Sequence, residues 1–173
     1  MPAGLDIARL YDEHAQPLHA FLLNLTRDEA DTRDVLQEVF LKLARDPGLL
    51  EGVREERAFL IRLAHNAAID MIRRRGTRER TRTEFTREEV SLFAPSNDPD
   101  AAMFRQELAA ALAELPPEQR AVVHLKLWTG LTFEQIAAAL EIPPNTAASR
   151  YRYALDKLRG RLRPLYEEMK QAD

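Results

Sequence analysis

LTFEQIAAALEIPPNTAASRYRYALDKLRGRL, residues Leu131 to Leu162, scans as two helices separated by a tight turn. Thr132 stands three residues before Gln135, the spacing of a capping box, and Leu131 and Ile136 occupy the positions of a hydrophobic staple. Phe133, Ile136, Ala137 and Leu140 recur at helical spacing and make one apolar face. Pro143 and Pro144 end that helix, and Asn145 can cap the next. In the second helix Ala148, Tyr151, Leu155, Leu158 and Leu162 share the side expected to bury against the first. Thr146, Ser149, Arg150, Tyr153 and Lys157 share the other. Hydroxyls, a guanidinium and an ammonium near a helix start suit base edges and phosphates, as in the recognition helix of a helix-turn-helix. An amphipathic hairpin with a solvated basic face has the same pattern, so the rest of the chain must choose.

Working outward, the 173 residues suffice for one domain or two small ones, and 45% apolar content supports globular cores. The chain has no cysteine, which excludes a disulfide framework, a thiolate nucleophile and cysteine-ligated zinc. No apolar run approaches the roughly 18–20 residues of a membrane span. No secretory leader is visible, and a soluble, cytoplasmic protein is expected. The net charge of −3 is unevenly spread. The first 51 residues carry mostly acids, among them Asp6, Asp12, Glu13, Asp28, Glu29, Asp31, Asp34 and Glu38. Arg73, Arg74, Arg75, Arg78, Arg80, Arg82 and Arg87 form one basic zone, and Arg150, Arg152, Lys157, Arg159, Arg161 and Arg163 form another. One acidic and two basic zones suggest a protein partner and a nucleic-acid partner.

Helical periodicity runs from Leu5 to about Leu25 and again from Asp28 to about Arg45. Val35, Leu36, Val39, Phe40 and Leu43 make the apolar side of the second helix. Its polar side, Asp34, Gln37, Glu38, Leu41 and Arg45, contains one leucine, either a stray or the centre of a protein interface. Residues 47–53 read as a loop. A third helix runs from about Glu55 to Arg75, with Leu60, Ala64, Ala67 and Met71 as its core stripe and Phe59, Leu63, Asn66 and Asp70 as a mixed one. Three arginines at its end suit the macrodipole, but four more within twelve residues exceed that need and point to phosphate contact. Periodicity fades over residues 77–99, where Phe85, Val90, Leu92 and Phe93 leave room for a short helix. It returns with Met103, Leu108, Ala111, Leu112 and Leu115, and Pro116-Pro117 opens a further helix to Trp128. The expected fold is all-α: two small helical domains, residues 1–76 and 100–173, joined by a flexible linker over 77–99, with a helix-turn-helix at the C-terminal end.

No enzyme site emerges. The histidines His14, His19, His65 and His124 are scattered without metal-ligand spacing, and no glycine-rich phosphate loop or GxSxG occurs. On spacing, His65 is expected at the helix surface or near DNA, and His124 partly buried. Neither a catalytic residue, nor a metal, nor a cofactor is expected.

DVLQEVFLKLAR (Asp34–Arg45), AFLIRLAHNAAIDMIRRR (Ala58–Arg75) and the C-terminal stretch from Ala111 to Leu162, in this order around a linker, resemble an extracytoplasmic-function (ECF) sigma factor of the bacterial sigma-70 family over roughly residues 5–163. The resemblance implies a protein that binds core RNA polymerase, recognises the −10 and −35 promoter elements, and is held inactive by an anti-sigma factor. It implies that Asp34, Gln37, Glu38, Leu41 and Arg45 face polymerase. Arg62, His65, Asn66, Arg73, Arg74 and Arg75 would face the −10 element, with loop 47–53 where the family captures an extruded base. Asn145, Thr146, Ser149, Arg150 and Tyr153 would face the −35 groove, flanked at phosphates by Arg152, Lys157 and Arg161. The family's two elements lie roughly 16–17 base pairs apart, about 55 Å at ~3.4 Å per pair. A linker of about 22 residues reaches at most ~70–80 Å, so both ends can bind at once.

Three features depart from the family. Glu141 stands where the turn usually carries glycine. Ala147 and Ala148 begin the recognition helix in place of a branched residue and a lysine, so −35 readout leans on Arg150, backbone contacts and DNA shape. No aromatic residue lies between Ile61 and Arg75, which implies weak melting power and dependence on near-consensus promoters. The competing expectation is a dimeric helix-turn-helix regulator that does not bind polymerase; a further one is a polymerase adaptor without promoter specificity.

Overall fold

The computed structural model describes residues 4–76 and 98–172. Within them the chain forms α1 (Ile7–Thr26), α2 (Glu29–Arg45), a 3-10 turn (Pro47–Leu50), α3 (Glu56–Gly76), α4 (Pro99–Glu114), α5 (Pro117–Leu127), α6 (Phe133–Leu140) and α7 (Pro144–Ala172). Among the described residues there is no strand. The expected 77–99 linker and its short helix lie outside them, apart from Asp98 and Pro99, the first residue of α4.

Local chemistry sets the helix starts. Asp6 accepts from the Arg9 amide at 2.9 Å, Asp28 from Asp31 at 2.9 Å, and Asp98 from Asp100 at 3.0 Å. Each occupies a first-turn N–H that has no intrahelical partner. At α6 the capping box is complete: Thr132 Oγ1 accepts from the Gln135 amide at 3.1 Å, and Gln135 Oε1 accepts from the Thr132 amide at 2.9 Å. Leu131 and Ile136 are both buried, as the staple requires. The α6 exit is a Schellman turn, in which the Ile142 amide donates to Ala137 O at 3.0 Å. It holds Glu141 at φ 56°, ψ 46°, the left-handed conformation that favours glycine. Asn145 does not cap α7. The helix begins one residue earlier, with Pro144 in its first turn, where the missing N–H costs nothing.

Helices α1, α2 and α3 pack on one another, as do α5, α6 and α7, with α4 against α7. The two groups also meet. α1 lies against α5 and α3 against α6, and one continuous cluster of buried side chains runs from Leu10, Phe21 and Leu43 through Leu60 and Ile61 to Val122, Leu125 and Ile136. A second, smaller core (Leu112, Leu115, Val123, Ala154, Leu158) is confined to the C-terminal group.

Two helices bury faces other than those expected from periodicity. In α3, Leu60 and Ala64 are buried as anticipated. Ile61, His65, Ala68 and Ile69 are buried as well, while Ala67 and Met71 are only half-buried. The reason is that α3 is covered by α6 in addition to α1 and α2. In α7 the fully buried residues are Ala147 and Ala154, with Leu158 nearly so, whereas Ala148, Tyr151, Leu155 and Leu162 are half-buried. Small side chains sit where α7 passes close to its neighbours, and larger ones lie along the flanks.

Candidate nucleic-acid interface

The five residues expected to face polymerase form one surface. α2 buries Val35, Leu36, Val39, Phe40 and Leu43 and turns Asp34, Gln37, Glu38, Leu41 and Arg45 to solvent. Leu41 remains 44% exposed among charged neighbours. With Lys42, Asp46 and Leu49 these five line an open groove of about 470 Å³. The 3-10 turn at Pro47–Leu50, within the expected loop, forms one end of it.

The residues expected at the −10 element are not gathered on one free face. Asn66, Arg73 and Arg74 are exposed on α3. Arg62 pairs with Glu141 of the α6–α7 turn at 2.9 Å, and Arg73 approaches Glu118 of α5 at 3.7 Å. Arg75 pairs with Asp31 of α2, which is nearly buried; burial raises the Asp31 pKa, and the arginine opposes that rise. His65 corrects the expectation of a surface residue, being only 8% exposed, with both ring nitrogens lacking a well-formed hydrogen bond. Burial holds its pKa below the ordinary histidine value, and the charges of Arg150 and Arg73 act in the same direction.

At the −35 candidate surface, Asn145, Arg152, Tyr153 and Lys157 are exposed on α7, while Thr146, Ser149 and Arg150 are half-buried. The Arg152 guanidinium lies 5.7 Å from the Tyr153 ring centroid, and Lys157 Nζ lies 3.4 Å from Gln119 Oε1. Arg161, expected at a phosphate, is tied to Glu114 of α4 at 2.8 Å. The start of α7 is close enough to α3 for the Arg150 charge to act on His65.

Several residues join the two helical groups, and of these Arg120, Asn24 and Arg57 were not singled out by sequence. Arg120 is 7% exposed; its Nη1 donates to Ala113 O and Leu115 O at 3.0 Å each, and its Nη2 to Leu25 O at 2.8 Å. Leu25 O belongs to the last turn of α1, where carbonyls lack intrahelical donors and the dipole is negative. Burial lowers the Arg120 pKa to about 10, and nearby Arg27 acts the same way, so the guanidinium stays charged at neutral pH. Asn24 Nδ2 donates to His124 Nδ1 at 3.3 Å, an acceptor only in a neutral imidazole. His124 is more deeply buried than expected, at 6% exposure, and burial pushes its pKa down to about 4. Arg57 Nη2 donates to Thr129 O at 2.8 Å. The signal that the sequence offered for this contact is a spacing: Arg120 and His124, four apart, share one face of α5.

Among the described residues, the one cluster of potential metal-ligating side chains is Glu13, His14 and Glu56. Arg9 already occupies it, pairing with Glu13 at 2.9 Å and Glu56 at 2.8 Å. No helix among the described residues is long and apolar enough to cross a membrane.

Residues 10–78 match Sigma-70 region 2, and residues 105–158 match Sigma-70 region 4. The chain is 38% identical over 160 residues to the ECF RNA polymerase sigma factor SigL of Mycobacterium tuberculosis strain H37Rv, covering 90% of this chain and 88% of the relative. It is 29% identical to the ECF sigma factor SigX of Bacillus subtilis strain 168, over 92% and 85% of the two chains. Among solved structures, the fold is shared with the sigma factor RpoE of Bartonella quintana in complex with the anti-sigma factor NepR. The TM-score is 0.72 at 22% identity, over 91% of this chain and 97% of the other. It is shared too with CnrH in complex with the cytosolic domain of CnrY, at a TM-score of 0.66 and 21% identity, over 91% and 88%. Two sigma-70 regions in order, and a relative aligned along nearly its whole length, place this chain in the ECF sigma factors of the sigma-70 family, the RNA polymerase subunits that direct promoter-specific initiation.

Proposed function

We propose that this sigma factor divides its work among three helical surfaces. The α2 face of Asp34, Gln37, Glu38, Leu41 and Arg45 docks on core polymerase. α3 and the arginines ending it engage the −10 element, and the start of α7 engages the −35 element. The region 2 helices and the region 4 helices act as separate domains on the two elements, with 77–99 as the connection. The observation that carries the reading is the α2 groove, where an apolar residue stands exposed at the centre of a charged ring. A leucine so placed contributes by being desolvated against a partner, and the charges around it set orientation and encounter rate.

The order of action follows from the chemistry. Core polymerase is captured through α2, and arginine contacts to phosphate then supply affinity without sequence information. Base edges read at the start of α7 supply specificity. Holding two DNA elements on one chain raises the effective concentration of the second contact once the first is made. An anti-sigma factor is a natural inhibitor, because the Bartonella quintana sigma factor of the same fold is known in complex with one. The work is non-catalytic and cytoplasmic, where polymerase and promoter DNA are found.

The test is run-off transcription with purified core polymerase, paired with a core pull-down of Leu41→Asp. The variant is expected to lose core binding while keeping its helical circular-dichroism spectrum, since Leu41 is not part of the core. Retained binding would remove α2 from the polymerase interface. Initiation nowhere on genomic promoter DNA, together with a symmetric footprint by the protein alone, would favour a dimeric regulator.

A further inference from the structure

Arg27 is an arginine where the backbone favours glycine. Its amide donates to Leu23 O at 2.9 Å and closes α1, and the residue stands at φ 57°, ψ 25°, in the left-handed region. Strain of this kind persists where the side chain does something that glycine cannot. The Arg27 side chain is half-buried, and its Nη1 is enclosed without an acceptor. Burial lowers its pKa, and no carboxylate opposes that fall. Arg120 stands close by. Its Nη2 donates to Leu25 O, two residues before Arg27, and the Arg27 charge acts on it. Arg120 is 7% exposed and commits Nη1 and Nη2 to three carbonyls, but its Nε has no acceptor. Glu118 acts on Arg120 through its charge, while its carboxylate approaches Arg73 at 3.7 Å. Two desolvated cations, each with an unmatched donor, therefore share the end of one helix. Buried charge without a counter-ion is costly, and an enclosed donor without an acceptor calls for one from outside the chain.

We propose that Arg27 and Arg120 form a binding site for a small phosphate-type oxyanion at the seam of α1 and α5, with Arg27 Nη1 and Arg120 Nε as its donors. A tetrahedral dianion answers both deficits at once, since it brings acceptors for the two N–H groups and charge for the two guanidiniums. The size of the ligand follows from burial. Arg120 lies too deep for the backbone of a DNA duplex or the surface of a partner protein to reach. The ligand is therefore a free ion or the phosphate group of a small molecule. It enters on the side of the half-buried Arg27, whose long stem can swing to admit it. One cation belongs to the region 2 helices and the other to the region 4 helices, so the site exists only while α1 and α5 are together. It does not depend on which faces meet polymerase or DNA.

The test uses the full chain in a phosphate-free buffer, with inorganic phosphate titrated against potassium chloride at matched ionic strength. Isothermal titration calorimetry is expected to show one saturable phosphate site in the parent protein. Arg27→Gly should weaken that site about ten- to a hundred-fold, the loss of a hydrogen bond to a charged group. The cap accepts glycine without strain, so this variant keeps its fold, which a circular-dichroism melt in chloride checks. Arg27→Lys keeps the charge and loses the planar fork, and should bind with intermediate affinity. Thermal unfolding gives a second readout. Phosphate stabilises folded chains in general by its exclusion from their surface. The site is therefore read as the part of the midpoint rise that saturates and that Arg27→Gly lacks. Adenosine monophosphate, added as a competitor, separates the two sources of the ligand. Displacement of inorganic phosphate supports the site as one for phosphate monoesters, and no displacement supports it as one for the free oxyanion. Absence of saturable phosphate binding in the parent protein, or equal binding in Arg27→Gly, overturns the proposal.

Discussion

Arg120 is a single side chain that ties three backbone carbonyls and both helical groups together, and no apolar period announces it. Periodicity scores it as polar and therefore as surface. It is buried because its guanidinium ends α1, where carbonyls have no donor of their own. Replacing it with methionine keeps much of the volume and removes every donor. Arg120→Met is expected to lower stability by about 2–3 kcal/mol, the penalty for buried acceptors left without partners, read as the shift of a urea midpoint. An unchanged midpoint would mean that the three carbonyls are hydrated in the variant. His65 teaches the same point. Its helical position is compatible with a solvent face or a buried one, and only the presence of α6 above α3 decides between them.

At the scale of elements, caps and turns were legible because they are made of neighbours in sequence. The Thr132–Gln135 box, the Asp28 cap and the proline-opened α5 all occur where local chemistry places them. α6 has only eight residues, too few to be stable alone, so its cap carries a large share of its local stability. Thr132→Ala is expected to cost about 1 kcal/mol in thermal or urea unfolding. The face that a helix buries was less legible. In α7 the large apolar residues suggested one stripe, and the fully buried residues are alanines beside it. Hydrophobic weight follows side-chain size, whereas close approach of two helices selects small residues. Thr146, Ser149 and Arg150 keep their common place at the start of the helix. Arg150→Ala should weaken −35 binding by about 1–3 kcal/mol and relax preference at one base position. A uniform loss across a panel of −35 sequences would instead assign Arg150 to a phosphate.

For the whole molecule, the joint between the two groups carries both buried histidines. Burial holds their pKa values below the ordinary histidine range, for His124 at about 4. In the unfolded chain they take up protons near pH 6.5, so below that pH the unfolded state binds more protons than the folded one. Stability is therefore expected to fall as pH drops from about 6.5 toward 4, and to be insensitive to these groups above that window. For His124 the full loss is on the order of 3 kcal/mol. Urea titrations at a series of pH values check this. His124→Gln, which can still accept from Asn24, should flatten the slope, and an equal slope in that variant would clear His124 of the effect.

By itself the sequence determined the all-α class, the helices and most of their ends, the polar row around Leu41 on α2 and the helix-turn-helix. Each of these depends on residues within a few positions of one another, and so on backbone geometry and periodicity alone. Only the tertiary structure decided that α3 is covered by α6, that Arg120 and His124 lie at a joint with α1, and that Glu141 meets Arg62. Those contacts join residues some 79 to 100 positions apart, and packing between helix faces selects them. No local spacing in the chain encodes which of two compatible faces will be the one that is covered.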